Sequence, residues 1–166
     1  MKRASVVLLI AAVVLASAGA GVAAWLLARP SDTAAARLPE ISAYTHGQLT
    51  RVEPYFICNV LNLNDCQTPQ AQGELKVNDR DPVQLSVPTQ IGSAPWRLLM
   101  VYDDPLDTTT AVFRPHSRLA VTIPTVDPHR GPLRGFTVQL LTLVKDQAGE
   151  LREAPHAEWS VRTVWS

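Results

Sequence analysis

Asp103, Asp104 and Asp107 flank Pro105 and run into Thr108, Thr109 and Thr110, concentrating oxygen atoms in one short stretch. Calcium takes about six to eight oxygen ligands at flexible geometry, which makes these aspartates the candidate calcium loop of the chain. The ordered Asp-x-Asp-x-Asp-Gly spacing is missing, and an ordinary acidic turn accounts for the same residues. A second polar stretch, Asp127-Pro128-His129-Arg130-Gly131-Pro132, is stiffened by its prolines and lies between two strand-like segments. Asp127, His129 and Arg130 are therefore candidate recognition residues, since binding groups gather on loops held by a rigid scaffold. A plain connection between strands is the competing reading.

Catalytic groups do not assemble along the chain. A nucleophile-elbow hydrolase needs Gly-x-Ser-x-Gly, whereas Gly92-Ser93-Ala94 lies in a loop-like stretch. Zinc needs three or four clustered ligands, and His46, His116, His129 and His156 occur singly. His156 and Glu158 share a face if their segment is a strand, and an isolated surface pair explains them as well. Trp96, Trp159 and Trp165 can line an apolar cleft, but they stand among Leu, Met and Val on strand-like segments, which fits core packing. Trp165, the penultimate residue, is the one that can end up exposed. No catalytic residue, metal or cofactor is expected.

Cys58 and Cys66 are the only cysteines. Both fall in the part of the chain assigned below to an oxidising compartment, where one disulfide is expected. Closing so short a loop stabilises a fold by about 2–3 kcal/mol through loop-closure entropy. A redox-active pair is the alternative, but the spacing is not Cys-x-x-Cys and no helix N-terminus is evident to lower a thiol pKa.

Short strands must position these residues. Gln48 to Val52 and Tyr55 to Leu61 are the first strand candidates, and Asn62 to Gly73, with Cys66 and Pro69, reads as a loop. Glu74 to Val77 and Val83 to Val87 follow, joined by what reads as a hairpin connection. Val83, Leu85 and Val87 share one face, so that side is predicted to meet the core. Trp96 to Tyr102 carries apolar residues on both faces and is predicted to be central and doubly covered. Arg118 to Thr125 and Phe136 to Val144 point Leu119, Val121 and Ile123, then Phe136, Val138, Leu140 and Val144, inward. After a turn at Gly149, Trp159, Val161 and Trp165 oppose Ser160 and Arg162 on a last strand. Seven or eight short strands without an amphipathic helix predict an all-β chain, an antiparallel immunoglobulin-like β-sandwich. A closed barrel is the alternative.

Lys2 and Arg3 precede an uncharged, mostly apolar run from Ala4 to Ala28 that ends at Arg29 and Pro30. About 20 apolar residues span a bilayer as a helix, and the basic start holds the N-terminus in the cytoplasm. The run continues past the small residues Ala16, Ala18 and Ala20 through Trp25 and Leu27, longer than the apolar region of a signal peptide, about 7–15 residues. The length argues for an uncleaved single-pass anchor, with a cleaved signal peptide as the alternative. The expected organisation is a transmembrane anchor or signal peptide over 1–30, a linker over 31–40 and an extracytoplasmic sandwich over 41–166.

All 15 acidic residues lie beyond Pro30, while Lys2, Arg3 and Arg29 of the 15 basic ones do not, leaving 12 basic residues in the exported part. A mildly negative domain without a basic stripe excludes nucleic acid as the expected partner. The membrane is the first expected partner, then an envelope protein, lipid or glycan.

Several segments carry a family resemblance. Tyr55 to Cys66, Gly73-Glu74-Leu75, the run Asp81 to Pro88, Ala94-Pro95-Trp96, the run Leu119 to Pro128 and the ending Pro155 to Val161 resemble the actinobacterial family known as domain of unknown function 2771. The resemblance covers nearly the whole chain. It implies a cell-envelope protein and brings no established activity or catalytic residues.

Overall fold

Period-two alternation sets most of the strands, and the alternating apolar residues meet in one core. The structure, a computed structural model, describes residues 38–104, 106 and 108–166. The apolar run, Lys2, Arg3, Trp25 and Asp107 lie outside the described residues. Among the described residues, no helix is long and apolar enough to cross a membrane.

The described residues form thirteen strands: β1 Ile41–Thr45, β2 Gln48–Val52, β3 Phe56–Asn59, β4 Asn62–Gln67, β5 Gln72–Val77, β6 Val83–Ser86, β7 Trp96–Val101, β8 Thr109–Phe113, β9 Ala120–Ile123, β10 Val126–Asp127, β11 Gly131–Pro132, β12 Gly135–Lys145 and β13 Leu151–Trp165. Among the described residues, a short helix, α1, covers Thr89–Gly92. A four-stranded sheet runs β2-β1-β6-β9, and a seven-stranded sheet runs β4-β3-β13-β12-β7-β8 with β5 added alongside β13. β10 and β11 make a separate two-residue ladder. These sheets, with almost no helix, fit a β-sandwich. Trp96, Trp159, Phe136, Ile41, Leu85 and Ile123, each at most 1% exposed, fill the core.

Several expectations need correction. Asn62–Gln67 is a strand, not a loop; its residues are nearly all exposed, so an edge strand left no apolar alternation to detect. β5 and β6 do not form a hairpin: β5 joins the larger sheet and β6 lies between β1 and β9. β5 also runs parallel to β13, from Gln72 opposite Ser160 to Val77 opposite Trp165, so the larger sheet is not purely antiparallel. β7 is internal, between β12 and β8, yet Arg97, Leu99 and Val101 on its second face are only half-buried. Gly92 ends α1 rather than lying in a loop; a Cβ there would meet Leu119 Cδ2 at 2.1 Å. Leu119 reaches that contact while 42% exposed, so it is less inward than its alternation predicts.

β13 is the organising strand. Along one edge it pairs with β12 from Leu151 to Arg162; along the other it pairs first with β3 and then with β5. A bulge falls where Leu140 faces Ala157 and Leu141 faces Pro155, which makes His156 the extra residue. Beyond it, Leu141 to Lys145 and Leu151 to Pro155 pair as strands with each other and with no third strand of the described residues, forming a two-stranded arm whose base is tied down by the Leu141 N–H donating to the Pro95 carbonyl at 3.0 Å.

Candidate functional site

The two loops singled out in the sequence meet at one end of the larger sheet. The register that sets Gly135 opposite Val101 and Arg162 brings the end of β7 beside the start of β12, so the residues following Val101 face those preceding Gly135. The Asp103 N–H donates to the Arg130 carbonyl at 3.1 Å, and the Arg134 N–H donates to the Val101 carbonyl at 2.8 Å. Gly131 takes φ +79°, a left-handed conformation natural for glycine, and a Cβ there would stand 3.2 Å from Asp103 Cβ. The 127–132 loop therefore packs directly on Asp103.

Charge is concentrated in this cluster and internally matched. Arg134 Nε donates to Asp103 Oδ1 at 2.8 Å, and its terminal nitrogen bonds the same oxygen. Asp127 Oδ1 accepts the backbone N–H groups of His129 at 2.9 Å and Arg130 at 3.0 Å, while Oδ2 lies 3.3 Å from the Arg130 guanidinium. The His129 backbone N–H above all, and then Arg130, hold the Asp127 carboxyl below its usual range. Burial, aided by the Asp127 charge, pushes the Tyr102 phenol up; its O–H donates to the Pro124 carbonyl at 3.3 Å. Both shifts favour the form each group already holds at neutral pH. Asp127 and Tyr102 thus present a fixed charge and a fixed hydrogen-bonding group at this end of the sheet.

Asp104 closes its own turn, its Oδ1 accepting the Leu106 N–H at 2.9 Å. Leu106 is 95% exposed beside these charges. Among the described residues, no group of three or more His, Cys, Asp or Glu side chains is arranged to hold a metal ion. Next to the cluster, Arg134, Gly135, Thr137, Ser160, Arg162 and Gln72 line a groove of about 200 Å³. Arg162 pairs with Glu74, and Gln72 Nε2 donates to Ser160 Oγ at 3.4 Å. Arg134 escaped the sequence reading because nothing local links it to Asp103; only the β7–β12 register does.

The remaining candidates lie elsewhere. Cys58 and Cys66 are bonded across the β3–β4 ladder, where they stand directly opposite each other. His156 is only 7% exposed rather than a surface residue, and its Nδ1 has no hydrogen-bond partner among the described residues. Glu158 accepts from Gln139 Nε2 at 3.0 Å. His46 Nδ1 lies 3.0 Å from Asp81 Oδ2, which also accepts from Asn78 Nδ2 at 2.9 Å. Ser93 Oγ donates to the Gln90 carbonyl at 3.1 Å. Trp165 is half-buried, its indole N–H donating to the Leu133 carbonyl at 3.0 Å.

Comparison with known proteins adds lineage without an activity. Relatives in Mycobacterium bovis and in two strains of Mycobacterium tuberculosis are 62% identical over 165 residues, covering 99% of this chain and 100% of theirs. Each is described as an uncharacterised protein. No solved structure matches the chain. Residues 34–164 match the family described as "Protein of unknown function (DUF2771)", and the chain belongs to that family.

Proposed function

We propose that this chain is a membrane-anchored, extracytoplasmic module of the cell envelope, non-enzymatic and immunoglobulin-like in outline, that binds an envelope partner through the Asp103–Arg134 end of its larger sheet. The observation that carries the reading is the meeting of Asp103 with Arg130 and Arg134 on one surface, with exposed Leu106 bonded to the neighbouring Asp104. An exposed apolar residue surrounded by oriented polar groups suits recognition of a protein surface. The basic-then-apolar start, Lys2 to Ala28, supports the anchor, and the Cys58–Cys66 disulfide supports an oxidising compartment. A carrier with a pocket between the sheets fits less well, because Trp96, Trp159 and Phe136 fill that space.

The test is crosslinking in intact cells, followed by mass spectrometry of what co-purifies with the full-length protein. A stoichiometric protein partner, lost on Asp103→Ala with Arg134→Ala, supports the module. Lipid or glycan adducts alone would shift the reading to a carrier.

A further inference from the structure

Two hairpins carry exposed apolar side chains at the end of the larger sheet opposite the Asp103–Arg134 cluster. Val60 and Leu61 join β3 to β4 and are 54% and 95% exposed. Leu143 and Leu151, 62% and 63% exposed, lie on the two-stranded arm of β12 and β13. Leu143 faces Glu153 and Leu151 faces Lys145 across that ladder, so the two leucines are diagonal neighbours on one face. Each hairpin thus gathers two exposed apolar side chains at its tip, and the first is held by the Cys58–Cys66 disulfide.

The path of the chain identifies what covers them. β1 follows the direction of β13: Pro39 accepts the Trp159 indole N–H, and the turn after Thr45 meets Asp81 near the C-terminal end of β5. Leu38 therefore lies at the side of the unit toward the arm. From Trp159 back to Leu151 the arm extends about 26 Å at roughly 3.3 Å per residue, and Val60 reaches about 17 Å past Trp159. The nine residue steps from Pro30 to Pro39 span at most about 30 Å when extended. A tether of that length attached at this end keeps both tips within reach of the bilayer that the apolar run enters.

We propose that Val60, Leu61, Leu143 and Leu151 seat in the lipid interface of the anchoring membrane, a proposal that rests on the anchor reading above. On the arm, Arg152 pairs with Asp146 and Glu150, and Arg97 with Glu153, while Lys145 stands opposite Leu151 on the leucines' own face. Contact is driven by the apolar side chains, with Lys145 placed to stay at the headgroup level beside Leu151.

The experiment uses the full-length protein in phosphatidylcholine vesicles, with and without nitroxide-bearing acyl chains. A polarity-sensitive dye is attached through Leu61→Cys, Leu151→Cys or, as control, Leu106→Cys; the native cysteines are already bonded to each other. The expected result is blue-shifted emission and several-fold stronger nitroxide quenching at 61 and 151 than at 106. Equal, water-like emission at all three positions in protein that resists alkaline extraction would overturn the proposal while leaving the anchor intact. Blue-shifted emission without nitroxide quenching would overturn it in favour of contact between copies. Release of the protein by alkaline extraction would overturn both the proposal and the anchor.

Discussion

The Trp159 indole N–H donates to the Pro39 carbonyl at 2.7 Å, tying the residues that lead into β1 to the central strand of the other sheet. Trp159 is fully buried, so this bond fixes the place where the described unit begins against its own core. Trp159→Phe removes the donor and leaves the Pro39 carbonyl without it, besides leaving a gap beside the smaller ring. The expected loss of stability is about 2–3 kcal/mol by urea unfolding. A loss below about 0.5 kcal/mol would mean that the start of the unit is not held this way.

Cys58 and Cys66 close a short loop on an edge hairpin, away from the buried aromatic residues. Replacing both with Ser is expected to cost about 2–3 kcal/mol in global stability, chiefly through the unfolded chain. The near-ultraviolet signal of the buried tryptophans should be retained. Its collapse would place the hairpin inside the cooperative core instead.

Burial depresses the pKa of His156 from 6.5. The unfolded chain therefore binds a proton there more readily than the folded one. The contribution to stability is full above pH 6.5 and is lost as pH falls from 6.5 toward the lower folded value. Asp127 and Asp81 are depressed below 3.8, so their contribution is lost only as pH falls below that value. His156→Leu should remove the upper part of the acid slope and leave the lower part. An unchanged slope just below pH 6.5 would assign it to another group.

Asp103 and Arg134 are each about half exposed, their side chains at 52% and 54%. An exposed pair of this kind contributes about 0–1 kcal/mol, so Asp103→Asn should move the unfolding midpoint little. Under the proposed binding role, the expected effect of Asp103→Asn is on partner capture. Loss of fold together with loss of capture would reduce the cluster to a structural joint.

Strand alternation is readable in several of the strands that turn one face to the core. Val83 and Leu85 are buried on β6, and Trp159 and Val161 on β13, as their spacing predicts. β4 was hidden because its polar residues are exposed on an edge, and β8 because Thr109 and Thr110 follow an acidic loop. β1, Ile41–Thr45, was not singled out, although Ile41, Ala43 and Thr45 are buried in alternation. The His156 bulge depends on the pairing of β12 with β13, and the Asp103–Arg134 contact on that of β7 with β12. Both are relations between distant segments, which local spacing does not encode. The disulfide needed only the compartment and the count of cysteines.

The most direct test of the binding role places a photo-crosslinking amino acid at His129 of the full-length protein in intact cells, with Asp65 on the edge strand β4 as control. A discrete protein adduct is expected from position 129, on the outer side of the membrane, and none from position 65. Adducts of equal yield from both positions, or a domain shielded from externally added protease in spheroplasts, would contradict it.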